Sequence, residues 1–146
     1  MFSQNLNILI LLGIEQISKV TQPGLKIIFA AFLRLSLFFF AMGDFKVFVT
    51  QAFQSKLLKQ DKNFKVWVEK VFDQLAVNPL AGKPLGAKWF REKKFENFRV
   101  YFLVFEGKKC VYVVNLSTKK DQQRIINSIR LLLDTYKKEL EDLLNK

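Results

Sequence analysis

From Phe45 onward the spacing of apolar residues changes character several times, and each change marks an element. Phe45-Lys-Val-Phe-Val49 alternates weakly and is rich in β-branched and aromatic residues, which predicts a strand. Thr50 stands where a helix cap is needed for Gln51–Lys59, whose Phe53, Leu57 and Leu58 fall on one face. Asp61 stands in the same place for a second helix running to about Ala76. There Phe64, Trp67, Val68, Val71, Phe72 and Leu75 recur at three- and four-residue intervals, and Asn78-Pro79 ends the run.

A loop with Gly82, Pro84 and Gly86 follows, then two strands over roughly Lys88–Phe95 and Asn97–Glu106. Gly107-Lys108 reads as a tight hairpin turn into a further strand, Lys109–Leu116. Val100–Phe105 and Val111–Val114 are apolar throughout, the pattern of central strands with both faces covered. The last helix starts near Asp121, with a stripe of Ile125, Ile129, Leu132, Leu133, Tyr136, Leu140 and Leu144. The order β-α-α-β-β-β-α describes an α+β domain: a small, mostly antiparallel sheet with an N-terminal helical hairpin and a C-terminal helix.

Residues 1–41 differ in chemistry. Their charges are Glu15, Lys19, Lys26 and Arg34, and they hold two apolar runs, Ile8–Ile14 and Leu25–Met42. The first run is too short to span a bilayer. Lys26 and Arg34 interrupt the second, at a cost of roughly 2.5–3.5 kcal/mol for a cation near mid-membrane. The expected division is an apolar extension over 1–41 and a small basic domain over 42–146, with Met42 the favoured true start. A membrane anchor or an extra packed helix are the alternatives, and a membrane is a partner only if residues 1–41 are genuine.

Charge then narrows the function. The chain carries 24 Lys+Arg against 13 Asp+Glu, a formal net charge of +11, which suits a polyanionic partner. No histidine is present, which excludes Ser-His-Asp and Cys-His catalysis. The single cysteine, Cys110, excludes an intrachain disulfide and a cysteine-based zinc cluster. No metal or cofactor is expected, and any chemistry must rest on Lys, Arg, Tyr and carboxylates.

The cations gather between Lys88 and Arg99. Strand alternation sets Trp89, Arg91, Lys93 and Phe95 on one face, a mixture of cations and aromatics suited to single-stranded nucleic acid. Lys88, Trp89, Lys94 and Lys119 are the expected nucleic-acid-binding residues. Arg99 adjoins the most apolar strand, where a cation needs a partner or an anionic ligand; Glu92 and Glu96 are the nearest candidates for pairing. Lys119 and Lys120 follow the next strand and are placed to converge with Arg99.

Over about Phe45–Tyr136 the order of pieces resembles the RelE/ParE toxins of toxin–antitoxin pairs. Asn78-Pro79-Leu-Ala-Gly-Lys-Pro-Leu85 resembles the loop from helical hairpin to sheet, and Phe98-Arg-Val-Tyr-Phe-Leu-Val104 resembles the tyrosine-arginine strand. Val113-Val-Asn-Leu-Ser-Thr-Lys-Lys-Asp121 resembles the terminal strand that runs into basic residues; Phe90-Arg-Glu-Lys-Lys-Phe95 and Lys119-Lys-Asp-Gln-Gln123 are similar to segments of RelE-like members. Two positions depart from the pattern: Asp121–Ile126 lacks the family's tyrosine, and Leu85 replaces a glutamate.

The resemblance implies a cytoplasmic toxin that cleaves messenger RNA on the ribosome without a metal. It implies catalytic roles for Arg99, Lys120, Arg91 and Lys93: Arg99 would neutralise transition-state charge, and Lys120 or Arg91 would assist the leaving oxygen. Lys93, Lys88, Glu92 and Glu96 are candidate bases. The implied partners are a cognate antitoxin, mRNA and the ribosome, and operator DNA for the toxin–antitoxin complex. A non-enzymatic, ParE-like inhibitor of DNA gyrase and a degenerate binding protein are the alternatives.

Overall fold

The computed structural model describes residues 44–146; the expected 1–41 extension and the Met42 boundary lie outside the described residues. The elements are β1 (Lys46–Val49), α1 (Gln51–Leu58), α2 (Lys62–Val77), β2 (Lys83–Pro84), β3 (Phe90–Phe95), β4 (Phe98–Phe105), β5 (Cys110–Thr118), α3 (Gln122–Leu131) and α4 (Leu133–Leu144).

Both expected caps form. The Thr50 hydroxyl accepts from the Phe53 N–H and the Asp61 carboxylate from the Phe64 N–H, each satisfying a donor that the first helical turn leaves unpaired. Thr50 also donates to the Val114 carbonyl at 2.7 Å, tying the start of α1 to β5.

The five strands run in the order β1-β5-β4-β3-β2. β1 pairs with β5 in parallel and every other pair is antiparallel, so the fold is α+β around a mixed, mostly antiparallel sheet. β4 and β5 lie in the middle, which explains their unbroken apolar runs. Val100, Phe102, Val104, Val111 and Val113 pack under α1 and α2. Tyr101, Leu103, Tyr112 and Val114 face the other way, under α3 and α4. Among the described residues no helix is long and apolar enough to cross a membrane.

Three local expectations need correction. The β4–β5 connection is a 3-10 turn over Glu106–Lys108, and Lys109, not Gly107, takes the left-handed conformation at φ 50°. The hairpin is thus a longer loop built on a helical turn. The final helix is divided: Leu132 lies between α3 and α4 at 41% exposure, and Leu131 is 87% exposed, so the apolar stripe skips one turn. The loop after α2 contains a strand, β2, whose two residues pair with Arg91 and Glu92.

The β3–β4 turn, which carries the basic residues, is fixed from below. Phe64 of α2 meets Phe95 and Phe98 at ring-centroid distances of 5.7 and 5.0 Å, and Trp67 meets Phe95 at 5.0 Å. Such aromatic pairs add roughly 0.5–1.5 kcal/mol each beyond area burial.

Candidate functional site

The two-residue turn Glu96-Asn97 sets the register that builds the site. Phe95 pairs with Phe98, so Lys94 stands opposite Arg99 and Glu92 opposite Tyr101. On the other side Arg99 stands opposite Ser117 of β5. Successive strand residues alternate between faces. Glu92, Lys94, Arg99, Tyr101 and Ser117 therefore share the face beneath α3, whereas Arg91 and Lys93 face α2.

A cleft of about 550 Å³ opens there, lined by Gly82, Lys83, Glu92, Lys93, Lys94, Arg99, Lys119 and Gln122. Arg99 is 7% exposed, and its Nη1 donates to the carbonyls of Phe98 at 2.9 Å and Glu96 at 3.2 Å. Among the described residues neither Glu92 nor Glu96 makes the ion pair with Arg99 that the sequence allowed. Lys119 joins the cleft because its backbone N–H donates to the Asn97 carbonyl at 2.8 Å, which holds the corner after β5 against the β3–β4 turn.

Glu92 is 5% exposed, and both of its oxygens accept from Nε2 of Gln122, at 3.0 and 2.8 Å. On the same face, opposite Glu92 and two residues along β4 from Arg99, the fully buried Tyr101 phenol is hydrogen-bonded to the Ser117 hydroxyl at 2.8 Å. Burial raises the Tyr101 phenol above its ordinary value, with Glu92 and Asp121 pushing the same way against Ser117 and Arg99. Tyr101 is a neutral, fixed group beneath that face.

The remaining expected residues lie in other places. Arg91 donates to the carbonyls of Ala81, Gly82 and Lys88 at 3.4, 2.8 and 3.0 Å, so its guanidinium staples the loop after α2. Lys93 reaches the Gln74 side chain of α2 at 2.7 Å, although part of it borders the cleft. Lys120 is exposed on the 3-10 turn Lys119–Asp121 and does not line the cleft. Lys88 and Trp89 lie at the far end of β3, where Lys88 pairs with Glu106 at 3.6 Å and Trp89 stacks on Phe90. Trp89 is 41% exposed and lines a separate groove with Phe105 and Leu133.

Three residues that spacing alone did not single out line the cleft, namely Gln122, Gly82 and Lys83, while Lys56 lies outside it. Gly82 adopts φ +88°, and a Cβ there would collide with the Glu92 carbonyl oxygen, so only glycine lets the loop lie this close to β3. Lys83 adds a cation to the rim. Lys56 of α1 donates to Asn115 Oδ1 at 2.7 Å and to the Leu116 carbonyl at 3.2 Å, past the end of β1. Desolvation lowers the Lys56 ammonium below its usual range, Arg124 adds to this and Asp121 opposes it.

A family model described as the ParE toxin of type II toxin–antitoxin systems, parDE, matches residues 46–123, which span β1 to the first turn of α3. The chain belongs to this toxin family. Within the RelE/ParE superfamily the chain is similar in fold to a mutant of the E. coli toxin RelE in its free state, with TM-score 0.53 and 15% identity over 62% of this chain and 99% of that one. It is also similar to a chain of the RelBE2 toxin–antitoxin complex of Mycobacterium tuberculosis, at TM-score 0.46 and 21% identity, over 53% of this chain and 93% of that one. No curated protein matches the chain. The ParE family match covers both walls of the cleft and ends one residue beyond Gln122.

Proposed function

We propose that this toxin is a metal-independent endoribonuclease that cleaves messenger RNA in the cleft around Arg99, and that a cognate antitoxin neutralises it. The observation that supports this most is the shared face. A buried carboxylate, Glu92, and a buried guanidinium, Arg99, lie on one side of the sheet, two residues apart along the strands or about 7 Å. Lys94, Lys119 and Lys83 rim the same cleft.

This set suits scission of RNA by its own 2′-hydroxyl. Glu92 takes the 2′-OH proton, the 2′-oxygen bonds to phosphorus and the bond to the 5′-oxygen breaks. The remaining guanidinium donors of Arg99 face the charge that grows on phosphate. Lys119 returns a proton to the leaving 5′-oxygen, giving a 2′,3′-cyclic phosphate and a 5′-hydroxyl. In this scheme Arg91 and Lys93 hold the scaffold, Lys120 and Lys94 draw in the polyanion, and Lys88 with Trp89 contact RNA beyond the cleft. The message on the ribosome, operator DNA bound together with the antitoxin, and a cytoplasmic site of action belong to the same proposal.

A second reading, a non-enzymatic gyrase inhibitor, is favoured by the ParE description of the matching family. Expression of the full chain in cells separates the two. The nuclease predicts transcripts with new 5′-hydroxyl ends, and Arg99→Ala lowers cleavage by on the order of 10²–10³-fold. Intact transcripts with accumulating supercoiling damage, or unchanged cleavage by Arg99→Ala, would overturn it.

A further inference from the structure

Gln122 is the first residue of α3, and it sits over a carboxylate on a different element, β3. Its amide nitrogen lies 3.0 and 2.8 Å from the two oxygens of Glu92. Only the nitrogen of that amide can donate, so the pair has one polarity: amide hydrogens toward carboxylate oxygens. Glu92 is 5% exposed, where a carboxylate needs hydrogen-bond donors. Gln122 itself is half-buried and borders the cleft, so the carboxylate is held from the side on which substrate enters.

The placement of Gln122 follows from the chain just before it. The Lys119–Asp121 turn is anchored by the bond from the Lys119 N–H to the Asn97 carbonyl, and Asp121 adds a 3.3 Å ion pair to Arg124. Ile125, Ile126 and Ile129 press α3 onto the sheet. The first turn of α3 is therefore fixed at both ends, and the amide has little freedom to leave the carboxylate.

We propose that Gln122 is a positioning residue: its side-chain amide holds the Glu92 carboxylate in place and oriented toward the Arg99 cleft, coupling the base to the docking of α3. The inference rests on the reading of Glu92 as the base. Gln122 touches neither phosphate nor the attacking oxygen; it acts through Glu92.

The test uses the full chain, a messenger bound to programmed ribosomes, and single-turnover cleavage followed against toxin concentration. Gln122→Met keeps length and shape but removes the donor, and Gln122→Lys restores one. The Met variant is expected to lose about tenfold in the cleavage rate constant with the half-saturating concentration little changed, as loss of a bond to a charged group supports. The Lys variant is expected to recover the rate constant. A rate constant unchanged in the Met variant, a loss confined to binding, or a Lys variant as slow as the Met variant would overturn the proposal.

The carbon-13 resonance of the Glu92 carboxyl supplies a readout independent of cleavage. Its resonance at neutral pH is expected to move in Gln122→Met, where the carboxylate loses its donor, and to move back in Gln122→Lys; a resonance that stays put rejects the role of Gln122 alone. Full cleavage by Glu92→Gln instead rejects the base itself, and with it the nuclease scheme on which the inference stands.

Discussion

The three guanidinium nitrogens of Arg91 donate to three carbonyls of one loop, from Ala81 to Lys88, and Arg130 reaches the Leu85 carbonyl of the same loop from α3. A lysine cannot reproduce that fork. Arg91→Lys is expected to lower stability by about 1–2 kcal/mol, since the bonds are partly exposed and each is modest. Urea unfolding reads the loss, and faster amide exchange over residues 82–88 locates it. Cleavage should fall far less than in Arg99→Ala. A variant as stable as wild type but without activity would mean that Arg91 acts on phosphate directly. The same residue shows what spacing leaves hidden: from sequence Arg91 and Arg99 are equivalent basic side chains, but one is bound to its own loop and the other borders a cleft.

At the scale of elements, the helix starts were legible because capping is local chemistry. Thr50 and Asp61 cap where expected, and Thr50 does more, since its hydroxyl also donates to Val114, sixty-four residues away. Thr50→Ala is expected to cost about 1–3 kcal/mol in thermal or urea unfolding, above a simple exposed cap, because both the cap and the buried bond to β5 are lost. The central strands were legible from their doubly apolar runs. The face of the cleft was legible in principle but needed register: once Glu96-Asn97 is a two-residue turn, Lys94 pairs with Arg99, and Arg91 and Lys93 fall on the opposite face from Arg99. Gln122 carried no signal, because nothing local tells a first-turn glutamine that β3 will present a carboxylate to it. The break at Leu132 was equally silent, made with neither glycine nor proline.

For the whole molecule, the excess of cations makes acidic groups on the scaffold conspicuous, and Glu69 of α2 is the clearest case. Burial, with the Asp73 carboxylate one helical turn further on, pushes its carboxyl from 4.5 up to about 8. A raised folded value means that the native state holds this proton more tightly than the unfolded chain does. Below pH 4.5 both states are protonated and the group has no effect. As pH rises from 4.5 through about 8 the unfolded chain ionises freely while the native state resists, so stability falls across that window and the penalty is complete above it. Glu69→Gln removes the penalty but also adds one positive charge to an already basic protein, which works in the opposite direction. A Tm that declines several degrees more in wild type than in Glu69→Gln between pH 5 and pH 8.5 therefore assigns the slope to this one carboxyl. Parallel Tm profiles for the two proteins would show instead that the Glu69 carboxyl stays hydrated and ionised in the folded state.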